Sequence, residues 1–172
     1  MKKLPNKLIY KKNSYYHIYN RGNHKQTIFL REKDYRVFKN QLFRYAKKHR
    51  VSIISYCLMP NHYHFIAKCG KELNSIPKFM QGLGVAYVLY FNREHKKVGR
   101  LFQGPFQIRR ISGVRDLNTM ISYIKHNPIE AELVGGGSLE SYRWYYLRST
   151  TQKRTQEMDF PMDEQMITQG EV

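Results

Sequence analysis

Acidic residues are scarce in this chain: 13 Asp and Glu stand against 30 Lys and Arg in 172 residues, for a net charge of +17. Five of those acids (Glu157, Asp159, Asp163, Glu164 and Glu171) lie beyond Arg154, after which no basic residue follows. Residues 1–154 therefore carry 30 basic side chains against 8 acidic ones, or +22. A solvated surface kept for solubility needs far less. Such a body attracts a polyanion and releases condensed counterions on binding it. Cysteine is also nearly absent. Cys57 and Cys69 are too few for a disulfide framework and form no CxxC pair. Long apolar runs are missing too: "VAYVLYF" (85–91) is far too short to cross a bilayer, and "MKKLPNKLIYKK" never develops the apolar segment of a signal peptide. These absences predict a soluble, cytoplasmic protein with no membrane partner. What the chain does have is aromatics, 14 Tyr and 9 Phe. Tyrosines interleaved with Lys and Arg suit stacking on exposed bases.

The periodicities predict one domain over 1–150. "SYYHIYN" (14–20) has the β-forming aromatics of a strand and runs into a turn at "RGN". From Asp34, a plausible N-cap, the apolar positions Tyr35, Phe38, Leu42, Tyr45 and Ala46 keep helical spacing. "VSIISYCLM" (51–59) and "HYHFIAK" (62–68) are two strands joined tightly by Pro60-Asn61. A second helix begins near Ser75, with Pro77 in its first turn. A fourth strand lies within 99–112, and "GVRDLNTMISYIKHNP" reads as a third helix stopped at Pro128. The order β-α-β-β-α-β predicts an α+β, ferredoxin-like antiparallel sheet with an additional C-terminal helix. "GGGS" (135–138) loosens the chain, "YRWYYLRS" (142–149) packs something aromatic, and 151–172 reads as a mobile acidic tail.

Alternation along a strand puts His62 and His64 on one face, with Tyr63 and Phe65 on the other. Two imidazoles on a rigid strand suit one metal ion whose remaining positions stay open. Chance alone often produces His-x-His, but a core strand would more cheaply place Val or Ile there. A structural zinc site from Cys57, His62, His64 and Cys69 fails on parity. Cys69, five residues beyond His64, falls on the opposite face of a regular strand.

In 114–127 the buried stripe is Val114, Leu117, Ile121 and Ile124. Tyr123 lies roughly 130° from its centre, with Asp116 and Asn127 within about 40° of Tyr123. A tyrosine snorkelling to water is the plainer explanation. A tyrosine hydroxyl, with a pKa of about 10, is a poor nucleophile near neutrality. It becomes competent against a phosphodiester when a cation stabilises the charge developing on phosphate. The covalent phosphotyrosine so formed preserves the bond for rejoining, whereas a hydrolase needs only water.

In this combination the chain resembles the REP-associated tyrosine transposases and related single-tyrosine insertion-sequence transposases of the HUH superfamily. The matching stretches are "YHIYNRGN" (16–23), "LMPNHYHFIAK" (58–68), "YFN" (90–92), "GRLFQGPF" (99–106), "YIKHNP" (123–128) and "YRWYY" (142–146). The family's histidine–hydrophobic–histidine motif falls on His62-Tyr63-His64, its nucleophile on Tyr123 and its third metal-side residue on Asn127. The resemblance implies divalent Mg2+ or Mn2+, a single-stranded DNA hairpin as substrate, and cleavage to a 5′-phosphotyrosine and a 3′-hydroxyl. Insertion-sequence relatives act as homodimers and REP-associated ones as single chains, and these residues leave that choice open.

Arg21, Asn23, Lys25, Arg109 and Arg110 are the candidate DNA contacts, because Arg and Lys favour phosphate and Asn reads base edges. Three other readings compete: a non-catalytic, basic nucleic-acid-binding ferredoxin-like module, a relaxase-like nickase using Tyr15 or Tyr16, and a metal-dependent hydrolytic nuclease.

Overall fold

The structure is a computed structural model, and it describes residues 10–72, 75–134 and 142–148. The glycine-rich 135–138 and the 151–172 tail lie outside the described residues. The elements are β1 (Tyr15–Arg21), α1 (Glu32–Lys48), β2 (Ser52–Met59), β3 (His62–Lys68), α2 (Ser75–Glu94), β4 (Gln107–Ile111), α3 (Val114–Glu130) and β5 (Tyr145–Leu147). They build one five-stranded sheet in the order β4-β1-β3-β2-β5, antiparallel throughout. The expected α+β arrangement is present. Among the described residues no helix is long and apolar enough to cross a membrane.

Strand alternation divides the sheet into two faces with different tasks. Tyr16, Ile18, Tyr63, Phe65, Tyr56 and Leu58 pack in one cluster with Phe38 and Leu42 of α1 and Phe79, Leu83 and Tyr87 of α2. On the other face Tyr15, Cys57, Met59, Ile66 and Ile111 meet Leu117 and Ile124 of α3. The first face is a full core. The second is covered by α3 with Tyr142 and Tyr145 beside it, and the Arg21 end of β1 and the His62 end of β3 reach solvent.

Four expectations change in detail. Asp34 is not the N-cap of α1: Arg31 is, and the Asp34 carboxylate reaches back to the Arg31 backbone N–H at 2.8 Å. An acid at the third helical position closes the first turn as a cap would. The same carboxylate, fully buried, accepts from Tyr90 Oη at 2.9 Å and bonds His95 Nε2 at 3.0 Å, tying α1 to the end of α2. Helix α3 does not stop at Pro128 but passes through it to Glu130. Pro128 is buried and forfeits one backbone donor, while the Ala131 N–H bonds the Asn127 carbonyl at 3.1 Å and keeps the turn closed. Val114, the first residue of α3, is exposed rather than part of the buried stripe, which begins at Leu117. Finally, "YRWYYLRS" contributes β5, which pairs with β2 from Ser55–Leu147 to Cys57–Tyr145 while Trp144 stacks on Tyr35.

Candidate active site

The register between β1 and β3 pairs Arg21 with His62, Tyr19 with His64 and His17 with Ile66. Residues of one parity on the two strands therefore project together: His17, Tyr19 and Arg21 beside His62 and His64. They form one end of the second face, where Tyr19, Arg21 and His62 reach solvent while His17 and His64 are buried, and His62, His64, Tyr19 and Arg21 line a cleft of about 700 Å³. Its other wall is the segment Gln103–Pro105 with Gln107.

That wall is held by the "RGN" turn. The Gly22 N–H donates to the Asn61 carbonyl at 2.8 Å, Asn23 N–H to the Leu101 carbonyl at 2.8 Å, and Gln103 N–H to the Arg21 carbonyl at 2.9 Å. Asn20 Nδ2 donates to the Gly104 carbonyl at 3.1 Å. Only glycine fits at position 22, since a Cβ there would stand 2.0 Å from the Gln26 carbonyl oxygen.

Tyr123 reaches the histidines from α3. Its ring meets His64 edge-on, with centres 5.7 Å apart, and His17 likewise at 6.2 Å. It is 45 % exposed, so the side chain is partly open to solvent as well as in contact with the histidines. Asn127, one turn on, donates from Nδ2 to the Tyr123 carbonyl at 2.9 Å. The off-stripe direction of Tyr123 thus points along the sheet toward the histidine end and not simply to solvent.

The electrostatics favour neutral imidazoles. Burial, with help from His17 and His62, pushes His64 down from 6.5 to about 3. Burial and then the Arg109 guanidinium lower His17 to about 4. His62 is lowered by burial and by Arg21. Neutral imidazole is the form that ligates metal. His62 Nδ1 lies 2.6 Å from Asn61 Oδ1, and His64 Nδ1 lies 3.0 Å from His17 Nε2. Both Nδ1 atoms are thus engaged by the protein, which leaves the two Nε2 atoms as the ring positions available to an ion. This donor set fits a divalent ion with open positions. Among the described residues no three His, Cys, Asp or Glu side chains form a ligand group, so such an ion would draw its further ligands from an amide, water or phosphate. The four-ligand zinc alternative is absent: Cys57 packs with the α3 face and Cys69 with the α1/α2 face.

The candidate DNA contacts do not share one location. Arg21 lines the cleft, and Asn23 and Lys25 sit in the adjoining 3-10 turn (Asn23–Lys25). Arg109 projects on the same face as the histidines but is held by Asp116 in a two-pronged pair at 2.8 and 2.9 Å. That guanidinium holds the Asp116 carboxyl down at about 2. Asp116 also accepts from the Ser112 N–H at 2.9 Å, so the pair fastens the start of α3 to β4. Arg110, of opposite parity, faces the α1/α2 side near Tyr16. The tyrosines of the nickase alternative are buried, Tyr15 at 4 % and Tyr16 at 0 % exposure, and Tyr16 lies on the wrong face. Tyr19 was missed in the sequence: 38 % exposed, it stacks on His17 and His64. His17 was missed as well. The signal for both is alternation of His17, Tyr19 and Arg21 on a strand, meaningful only once β1 is paired with β3.

The family profile of IS200-like transposases matches residues 10–127. Among solved structures, a REP-associated tyrosine transposase bound to a REP hairpin is similar at TM-score 0.61 and 13 % identity, over 79 % of this chain and 78 % of that one. A Deinococcus radiodurans R1 protein bearing a transposase name aligns at TM-score 0.49 and 16 % identity, over 77 % of this chain and 98 % of its own. No curated protein matches.

Proposed function

The chain belongs to the IS200-like transposase family, and from that premise we propose that it cleaves and rejoins single-stranded DNA beside a hairpin, with Tyr123 as the nucleophile. The observation that carries this reading is the edge contact between Tyr123 and His64, 5.7 Å between ring centres, within one chain. A tyrosine in ring contact with one of two neighbouring imidazoles supplies the components that phosphodiester transfer to a protein hydroxyl requires.

His62 and His64, with the amide oxygen of Asn127, would hold Mg2+ or Mn2+, which when bound supplies positive charge to a non-bridging phosphate oxygen. Arg21, which lines the cleft, and Lys25 in the adjoining turn bind backbone phosphate and orient the strand, and Asn23 reads a base edge. Tyr123 Oη attacks phosphorus, the Oη–P bond forms and the bond to the 3′-oxygen breaks. The phenolic proton is lost to solvent and the departing oxygen is protonated, leaving a 5′-phosphotyrosine and a 3′-hydroxyl. Attack by another 3′-hydroxyl reverses the step and joins a new end. The exposed ring of Tyr19 beside His64 provides a surface on which a neighbouring base stacks. Residues 1–150 act as the transposase domain. Since Tyr123 meets the histidines of its own chain, one chain is enough for cleavage, and a homodimer serves only to bring two ends together.

The test uses labelled single-stranded hairpin DNA and Mn2+, boiled in detergent. A covalent adduct formed by the native chain and missing in Tyr123→Phe is expected. Cleavage without adduct would make the chain a hydrolase, and binding without cleavage a non-catalytic module.

A further inference from the structure

We propose that His17 selects the ring nitrogen that His64 presents to the cleft: it accepts the proton of His64 Nδ1 and so leaves His64 Nε2 bare for an ion. This rests on the reading of His62 and His64 as ligands and assigns His17 as a positioning residue, not a ligand.

The two imidazoles sit side by side on β1 and β3. Their planes differ by 11°, their centres are 5.2 Å apart, and His17 Nε2 is 3.0 Å from His64 Nδ1. The nitrogens therefore meet edge to edge between the ring centres, where a ring N–H and a ring lone pair both lie. A bond of this kind holds one proton. If His17 donates it, His64 must carry its own proton on Nε2 and cannot ligate. If His64 donates it, Nε2 is a bare lone pair. The choice at His17 is therefore a choice of ligand competence at His64.

His62 shows the same arrangement with a partner that has no choice. Its Nδ1 meets Asn61 Oδ1 at 2.6 Å, and Asn61 Nδ2 is engaged with the Lys25 carbonyl at 3.3 Å, which fixes the amide's orientation. An amide oxygen only accepts, so His62 must hold its proton on Nδ1. His17 performs for His64 what Asn61 performs for His62, and the two Nε2 atoms become equivalent donors. The rest of the surroundings keep His17 in place. Tyr19 stacks on it at 5.0 Å and Tyr123 closes its edge at 6.2 Å. It is 6 % exposed, so water does not replace it. Arg109 is its register partner on β4.

Two measurements test this. In the metal-free native protein, long-range 1H–15N correlation spectra identify which nitrogen of His64 is protonated. Nδ1–H is expected, and Nε2–H overturns the inference without any variant. Mn2+ binding without DNA, followed by electron paramagnetic resonance, is then compared among native, His17→Phe, His17→Gln and His64→Ala chains. His17→Phe should bind roughly 10–100-fold more weakly, and His17→Gln, whose amide oxygen accepts, should recover most of the loss. Equal binding by native and His17→Phe chains reduces His17 to packing. If native and His64→Ala chains bind alike, the ligand reading itself fails, a result distinct from the tautomer measurement.

Discussion

Acidification from pH 7 to pH 5 should destabilise the metal-free protein through two buried imidazoles. His17 and His64 hold folded-state values of about 4 and about 3 against an ordinary 6.5. A lowered value means that the unfolded chain takes up protons before the folded chain does. The stabilisation from neutral rings is therefore complete above about pH 6.5 and drains as pH falls toward the folded values. At about 1.4 kcal/mol per pH unit over ~1.5 units, each ring accounts for about 2 kcal/mol by pH 5, and the pair for about 4 at most. His62, lowered in the same direction, adds to the effect. Asp34 and Asp116 do not titrate in this window because both are held below the usual carboxylate range. Denaturant titrations at the two pH values in EDTA measure the loss, and thermal unfolding should shift down by roughly 5–15 °C. In His17→Phe the pH dependence should shrink by about 2 kcal/mol, since one of the two rings is gone. A flat profile, or a native chain that gains stability on acidification, refutes the placement of these rings in a dry site.

Two further outcomes concern the cleft wall and the DNA path. Gly22→Ala forces a Cβ to 2.0 Å from the Gln26 carbonyl oxygen, so unfolding should show a loss of about 1–3 kcal/mol or more, and wild-type stability would contradict the packing of the turn. Arg21→Ala should flatten the dependence of single-stranded DNA affinity on log salt by about 0.7, read by fluorescence anisotropy. Arg109→Ala should flatten it less, because Asp116 already neutralises that guanidinium at 2.8 Å, and an equal change in both variants would contradict the difference between them.

The fold was largely legible because its signals are local. Alternation marked β1, β2 and β3 to within a residue or two, 3.6-residue spacing marked α1, and Ser75 with Pro77 marked the start of α2. Where the reading slipped, tertiary packing overruled a local rule. Pro128 is buried within α3, which continues to Glu130, and Val114 is exposed although Asp116 in the same turn is tied to β4 through Arg109. Strand β5 was hidden because three residues carry too little periodicity, and only the edge of β2 makes them a strand. The site divided in the same way. The shared face of His62 and His64 follows from a period of two within one strand. The contribution of His17 and Tyr19 depends on the β1/β3 register, a pairing across more than forty residues that no local pattern encodes. Of the candidate DNA contacts, Arg110 was set apart by parity and Arg109 by its pair with Asp116, neither of which charge composition contains.

Mapping the covalent adduct by mass spectrometry tests the central claim most directly. After reaction with a hairpin oligonucleotide and trypsin digestion, the nucleotide should sit on the peptide "DLNTMISYIK" (116–125), at Tyr123. A nucleotide on "NSYYHIYNR" (13–21), which carries Tyr15, Tyr16 and Tyr19, would contradict the assignment, as would strand cleavage with no modified peptide.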